Sequence, residues 1–183
     1  MRRTGAAGRP GPLSIGRAPR WPPCSTAPPT RSSSRAAGSE ADNLALNGVF
    51  FALRDRGDHI IATAVEHPAI LEPARFLDRL GARASYLDVD GTGRIDPDDV
   101  RRAITPRTIL VSVMHANNEV GTSEPIEAVG AITRERGVLL HTDAAQSVGK
   151  IPTKVNELGV DLLFASPSLL GNAVQQARDH ITR

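Results

Sequence analysis

Residues 138–150 read VLLHTDAAQSVGK, a short apolar run that passes directly into polar residues. A continuous apolar run of this length predicts a strand buried on both faces, as in a parallel sheet. Asp143 follows the run, and open α/β sheets bind their ligands at the carboxyl ends of their strands. Because an unpaired buried carboxylate is costly, we expect Asp143 to accept hydrogen bonds, to face water or to pair with a cation.

Strands and helices are predicted to alternate along the chain on both sides of this run. The predicted strands are short, mostly apolar segments at 59–64, 84–89, 108–114, 138–141 and 161–165. The predicted helices have an apolar face or a capping residue and lie at 42–54, 68–81, 97–104 and 125–136. This alternation predicts right-handed crossovers, and therefore an α/β fold with a mostly parallel sheet and flanking helices.

The composition is that of a chain that forms a core without a membrane span. Hydrophobic residues make up 40% of its 183 residues. No segment approaches the roughly 20 consecutive apolar residues of a membrane helix, and the N-terminus lacks the apolar block of a secretory signal. The single cysteine, Cys24, has no partner for an internal disulfide, which favours a reducing compartment. We therefore expect a cytoplasmic protein that contacts no membrane.

Residues 1–37 differ in composition from the rest of the chain. They are rich in Arg, Pro, Gly, Ala and Ser, lack apolar periodicity and are expected to be disordered. Residues 1–39 contain seven arginines and no acidic residue, so the remainder has a net formal charge of −5 against +2 for the whole chain. That remainder gives no electrostatic reason to expect nucleic-acid binding. An organelle transit peptide is an alternative, although the prolines and glycines disfavour the amphipathic helix of such peptides.

The segment at 88–99, DVDGTGRIDPDD, has much of the ligand spacing of an EF-hand calcium loop. An EF-hand needs a helix directly before the loop, whereas a predicted strand precedes this one. Pro97 and the short side chain of Asp99 also weaken the last ligand position. A turn followed by a helix cap is the main interpretation, and a calcium-binding module is the alternative.

Polar residues follow several of the predicted strands and therefore meet at one edge of the sheet. His67, Asn118, Asp143 and Gln146 come after strand ends, and Ser39 precedes the first predicted helix. Each is individually explained as a cap, a turn residue or an exposed polar residue. Together they suit a planar aromatic cofactor with a phosphate and a basic ring nitrogen, because a helix N-terminus binds phosphate and Asp143 keeps the nitrogen protonated.

Four motifs carry a resemblance to a known family. GSEADNLAL, ATAVEHPAILE, ILVSVMHANNEVGT and HTDAAQSVGKIP occur in this order and resemble the NifS/IscS-type cysteine desulfurases of the class V aminotransferase superfamily. The resemblance covers about residues 38–166. It implies an incomplete large domain of the type I PLP-dependent transferase fold.

The resemblance also implies chemistry, partners and residue roles. The cofactor of the family is pyridoxal 5′-phosphate (PLP), and the substrate is L-cysteine, whose sulfur passes as persulfide to acceptor or scaffold proteins in iron–sulfur cluster or thio-cofactor assembly. Family members are homodimers, a state that is not assumed for this chain. The implied cofactor contacts are phosphate for Ser39 and Ser166, ring stacking for His67, the ring hydroxyl for Asn118 and Gln146, and the ring nitrogen for Asp143.

The chain departs from the family pattern after residue 166. Leu169 stands where the family has the lysine that forms the Schiff base, and the two lysines of the chain, Lys150 and Lys154, are expected at the surface. The family's catalytic cysteine belongs to a later region, and Cys24 does not replace it. No catalytic residue is therefore assigned, and we expect covalent cofactor attachment and turnover to be absent.

Residues 1–37 and 167–183 lie outside the family pattern, as an Arg-rich leader and a C-terminal tail. Their abrupt changes of composition suggest a gene fragment with disrupted reading frames at both ends, whose product exposes apolar faces and aggregates. Two other functions remain open. Another class V enzyme, such as a selenocysteine lyase or an aminotransferase, shares the cofactor-binding pattern, and a non-enzymatic calcium module does not need it.

Overall fold

A computed structural model of the chain describes residues 38–165. All of them belong to the second of the chain's two units, Ser33–Arg183. The helices are α1 (Gly38–Leu53), α2 (Pro68–Arg79), α3 (Pro97–Ala103), α4 (Ile126–Arg136) and α5 (Val155–Leu158). The strands are β1 (His59–Thr63), β2 (Arg83–Leu87), β3 (Thr108–Ser112), β4 (Leu139–Asp143) and β5 (Leu162–Phe164).

The five strands form one sheet in the order β2-β1-β3-β4-β5. Every neighbouring pair is parallel, which confirms the predicted α/β class. Strands β1, β3 and β4 are almost fully buried, as expected for strands covered by helices on both faces. Because all strands run the same way, the segments that follow them emerge at one edge, here named the carboxyl edge.

Helices cover the two faces of the sheet with separate apolar cores. On one face, α1 and α2 pack over β1 and β3, with Leu46, Phe50 and Leu77 among the buried side chains. On the other face, α3, α4 and α5 pack over the same strands and β4, and Leu140 is buried there. Neighbouring residues of β4 therefore point to opposite helical layers.

Several predicted boundaries are corrected by the structure. Helix α1 begins at Gly38 rather than near residue 42, because Ser39, Glu40 and Ala41 extend it by a turn and Glu40 favourably faces the positive end of the helix dipole. Strand β4 includes Asp143 rather than stopping at residue 141. The single-turn helix α5 was not predicted, since four residues give no measurable periodicity.

Two caps expected from the sequence are confirmed. Asp96 caps α3 and accepts a hydrogen bond from the backbone N–H of Asp98 at 2.9 Å. Pro68 occupies the start of α2, after a cap formed by His67. Within residues 38–165, no helix is long and apolar enough to cross a membrane. The leader at 1–37, Ser166 and the tail at 167–183, including Leu169, lie outside the described residues.

Candidate functional site

Asp143 is the last residue of β4 and lies at the carboxyl edge of the sheet. Its side chain is buried, with 9% of the residue exposed. One carboxylate oxygen, Oδ1, accepts a hydrogen bond from the backbone N–H of Ala145 at 2.8 Å. Burial raises the pKa of Asp143 above its ordinary value, and the hydrogen bond from Ala145 opposes that increase. A cationic partner would stabilise this carboxylate.

Three charged or titratable groups act on Asp143 through space. The carboxylate of Asp42, on α1, raises the pKa of Asp143, whereas the imidazoles of His141 and His67 lower it. These interactions place the N-terminal part of α1 and the start of α2 beside the end of β4. The structure thus brings Asp143 and His67, both expected at the site, into one electrostatic neighbourhood.

His67 is held at the carboxyl edge as the cap of α2. Its backbone is extended, with φ −61° and ψ 148°, and its Nδ1 accepts a hydrogen bond from the backbone N–H of Ala69 at 3.1 Å. The side chain is otherwise exposed. The capping role therefore orients the ring and leaves its faces accessible to a flat ligand.

Asn118 lies in the turn that follows β3, and its neighbour Asn117 organises that turn. Oδ1 of Asn117 accepts hydrogen bonds from the backbone N–H groups of Glu119 at 2.8 Å and Val120 at 3.3 Å. Its amide donates to the carbonyl of Val65 at 3.4 Å, which links the turn to the segment after β1. Asn118 itself is exposed.

Gln146 lies in the turn that follows β4. It is half-buried, and its Oε1 accepts a hydrogen bond from Nζ of Lys150 at 3.5 Å. The adjacent Ser147 is buried and bonds the ring of His115 at 2.8 Å, which ties this turn to the loop after β3. Burial lowers the pKa of His115.

Ser39 occupies the first turn of α1 rather than the position before the helix that was expected. It is exposed, and its carbonyl accepts a hydrogen bond from the side-chain amide of Asn43 at 2.7 Å. The first N–H groups of a helix have no partners within the helix, so this end of α1 suits an anion.

Glu66 is a buried residue of the site that was not expected from the sequence. Its Oε1 accepts hydrogen bonds from Oγ1 of Thr63 at 2.8 Å and from the backbone N–H of Met114 at 2.7 Å, joining the ends of β1 and β3. Its Oε2 is buried and has no hydrogen-bond partner within residues 38–165. Burial raises the pKa of Glu66 to about 8, and Asp143 contributes to the increase.

His141 and Asp42 were also missed. Nδ1 of His141 lies 2.9 Å from Oγ of Ser112, and its Nε2 lies 3.5 Å from Oδ1 of Asp42. The sequence did contain a pattern that indicates a buried position for Asp42. Asp42 precedes Leu46 by four residues, so a carboxylate falls on the apolar stripe of its helix.

The segment at 88–99 has the contacts of a turn and a helix cap. Strand β2 enters it, and Oδ1 of Asp90 accepts hydrogen bonds from Thr92 and from the backbone N–H of Arg94. These bonds lower the pKa of Asp90. Within residues 38–165, no group of three or more His, Cys, Asp or Glu side chains is arranged to hold a metal ion.

The carboxyl edge fits a planar ligand that carries a cation and an anion. Asp143 offers a buried carboxylate, and the carboxylate of Asp42 adds to the attraction for a positive group. The start of α1 offers N–H groups for an anion, and the exposed His67 offers a ring face. A protonated pyridine with a phosphate satisfies all three features.

The chain is similar in sequence to known proteins. Residues 35–168 match the model of the family described as aminotransferase class-V. The chain is 53% identical over 131 residues to a cysteine desulfurase IscS from Dictyoglomus turgidum, covering 72% of this chain and 33% of that protein. It is 45% identical over 131 residues to one from Methanosarcina thermophila, covering 72% and 32%. The chain therefore spans about a third of the length of the curated relatives it matches.

Solved structures give the same result. SspA in complex with cysteine superimposes with a TM-score of 0.68 at 37% identity, over 71% of this chain and 38% of that one. DndA from Streptomyces lividans superimposes with a TM-score of 0.67 at 35% identity, over 74% and 38%. The sheet and its flanking helices therefore correspond to part of each of these structures.

Proposed function

The chain belongs to the class V aminotransferase family, whose members are PLP-dependent, and from this we propose that residues 38–166 form the PLP-binding part of a cysteine desulfurase. The leader at 1–37 and the tail at 167–183 lie outside this part. The observation that carries the proposal is Asp143, a buried carboxylate with a raised pKa at the carboxyl edge of a parallel sheet.

Asp143 is proposed to accept a charge-assisted hydrogen bond from the ring nitrogen of PLP. Burial raises the pKa of Asp143 because it destabilises the ionised form of the carboxyl group. A cation beside the carboxylate offsets this destabilisation and keeps the group ionised. The bound ring supplies an electron sink, and Asp143 preserves this property by holding the proton on the nitrogen.

The other proposed contacts are those that the family resemblance implies. The start of α1, with Ser39, is proposed to bind the phosphate together with Ser166. His67 stacks on the ring, in the orientation fixed by its bond to Ala69. Asn118 and Gln146 lie in the turns after β3 and β4 and are proposed to approach the ring hydroxyl.

For the protein of which these residues form a part, we propose removal of sulfur from L-cysteine to leave L-alanine, with the sulfur carried as persulfide to iron–sulfur cluster or thio-cofactor assembly. The 183-residue polypeptide itself is proposed to bind PLP without covalent attachment and without turnover. The resemblance implies that Leu169 stands at the position of the lysine that forms the Schiff base in the family. Lys150 and Lys154 are exposed and contact Gln146 and Glu157.

The test is the affinity of the full chain for PLP, measured by equilibrium dialysis. Asp143→Asn removes the charge but keeps the shape, and we expect it to weaken binding by about 10- to 100-fold, the value of a charge-assisted hydrogen bond. The control is Asp58→Asn, because Asp58 precedes β1 at the opposite edge and pairs with Arg107. Equal affinities of D143N and the unchanged chain would contradict the role of Asp143.

The same preparation tests the absence of covalent attachment. After treatment with borohydride, mass spectrometry is expected to show no added cofactor mass, and incubation with L-cysteine is expected to release no alanine. Attachment of PLP at Lys150 or Lys154 together with alanine release would refute this part of the proposal.

A further inference from the structure

Three buried side chains connect α1 to the centre of the sheet. Ser112 on β3 lies 2.9 Å from Nδ1 of His141 on β4, and Nε2 of His141 lies 3.5 Å from Oδ1 of Asp42 on α1. Their exposed fractions are 0%, 1% and 1%, so solvent does not reach them. A nucleophilic role for Ser112 is therefore excluded, although the order of residues resembles that of a hydrolase triad.

Asp42 and His141 face each other through two buried polar atoms. Oδ1 of Asp42 and Nε2 of His141 are both buried, and neither forms a hydrogen bond with any group within residues 38–165. Removing a carboxylate from water is costly unless a partner of opposite charge or a donor faces it. In the described part of the chain, the imidazole of His141 is the group that forms an ion-pair contact with Asp42.

The position of this pair relates it directly to the two ends of the proposed ligand site. His141 precedes Asp143 by two residues on β4, so both side chains point to the face that α1 covers. Asp42 follows Ser39 by three residues, so it lies one turn from the start of α1. The contact between Asp42 and His141 therefore joins the anion-binding end of α1 to the strand that carries the carboxylate.

We propose that Asp42 and His141 are a positioning pair that fixes the start of α1 relative to the carboxylate of Asp143. The pair does not touch the ligand. It sets the separation between the helix N-terminus and the carboxylate, so that one rigid ligand with an anionic group and a protonated ring nitrogen reaches both. Ser112 completes the arrangement by fixing the rotation of the imidazole ring. This inference rests on the proposed function for the identity of the ligand.

The first test needs no ligand and measures hydrogen exchange of the full chain by mass spectrometry. Asp42→Ala and His141→Ala are expected to accelerate exchange in the first turns of α1 by about tenfold, because the helix loses its attachment to β4. The matched control is His59→Ala. His59 is also a buried strand histidine that bonds two hydroxyls, of Thr108 and Ser85, but it lies at the opposite edge of the sheet.

Exchange in α1 that is no faster in D42A and H141A than in H59A would overturn the proposal. If the alanine variants fail to fold, Asp42→Asn and His141→Gln replace them, because they keep the volume while changing the contact. Exchange in α1 of D42N and H141Q is then compared with exchange in H59Q. Exchange in D42N and H141Q that is no faster than in H59Q would overturn the proposal.

The second test compares PLP with pyridoxal, which lacks the phosphate. In D42A and H141A, the preference for PLP over pyridoxal is expected to fall by about fivefold or more, because the phosphate and the ring nitrogen no longer reach their partners together. H59A is expected to retain the preference. An unchanged preference in D42A and H141A would overturn the proposal. If the unchanged chain binds neither compound, the proposed function fails, and hydrogen exchange still decides whether the pair holds α1.

Discussion

Glu66 illustrates how burial determines the charge of a single residue. Its carboxyl group lies between the ends of β1 and β3, where it accepts two hydrogen bonds, yet burial outweighs them and raises the pKa to about 8. The residue is therefore mainly protonated at neutral pH. One consequence is that Asp143 does not face a second full negative charge from Glu66.

This protonation makes stability depend on pH in a specific direction. In the unfolded chain the carboxyl group of Glu66 has its ordinary pKa of about 4.5, whereas in the folded chain it keeps its proton up to about pH 8. Between these values the folded state binds more protons, so the contribution of Glu66 to the free energy of unfolding falls as pH rises through this window. Above the folded pKa the contribution stays at its lower level.

We predict that Glu66→Gln removes this part of the pH dependence, since glutamine keeps the acceptor oxygen and cannot ionise. Urea unfolding at pH 5 and pH 8 measures it. The loss of stability between the two pH values is expected to be smaller in E66Q by about 1 kcal/mol or more. The control is Glu72→Gln, an exposed carboxylate paired with Arg75. Identical pH dependence in E66Q and the unchanged chain would disprove the protonated state.

At the scale of the helix, two glycines have opposite surroundings. Gly130 is buried in α4, and a Cβ added there would lie 2.4 Å from the backbone oxygen of Leu158, at the end of α5. Gly48 lies in α1, and a Cβ there would meet no atom within 4 Å. The close approach of α4 to α5 therefore requires a residue without a side chain, whereas α1 has no such requirement.

We predict that alanine has opposite effects at these two positions. Gly130→Ala is expected to lower the free energy of unfolding by about 1–3 kcal/mol, because backbone atoms must move to admit the methyl group. Gly48→Ala is expected to raise it by about 0.5–1 kcal/mol, the usual gain in helix propensity. Chemical denaturation of both variants gives the comparison. A stabilised G130A would show that α5 does not hold its position against α4.

Sequence patterns predicted the strands and helices well where a local run of residues determines the element. Strands β1 and β3 are recognisable because their apolar runs are continuous, and each was predicted to within two residues. Helix α5 was missed because its four residues contain only Val155 and Leu158 as apolar anchors.

The contacts at the site were less predictable than the residues that line it. The position of Asp143 at the carboxyl edge was predicted from its place after an apolar run, since the edge of a parallel sheet follows from local patterns. The contact between Asp42 and His141 joins distant parts of the chain, and no local pattern specifies it. The same holds for Glu66, which accepts a hydrogen bond from the backbone N–H of Met114 in the distant segment after β3.

At the scale of the whole molecule, apolar side chains are exposed on the helices that cover one face of the sheet. Leu44 and Phe51 on α1 are 63% and 51% exposed, Phe76 on α2 is 51% exposed, and Leu80, the residue after α2, is 50% exposed. Leu44 and Phe51 are seven positions apart and so lie on one side of α1. Exposed apolar groups of this kind favour self-association.

We predict that the full chain self-associates through this surface. The double change Leu44→Ser and Phe51→Ser is expected to weaken self-association by about tenfold or more, since each buried apolar side chain contributes about 1.5–3 kcal/mol. Sedimentation at several concentrations measures the effect. Val120→Ser is the control, because Val120 is 59% exposed but lies in a loop away from α1 and α2. Undiminished association in the double variant would exclude α1 from the contact.

The contact between Asp42 and His141 also has a consequence for biosynthesis. The two residues are 99 positions apart, so at about 5–20 residues per second the ribosome adds His141 roughly 5–20 s after Asp42. Until then the carboxylate of Asp42 is best solvated by water, and α1 gains little by docking at that end. We therefore expect the start of α1 to be among the last parts of the described chain to settle, and a nascent chain halted before residue 141 to leave the proposed ligand site unassembled.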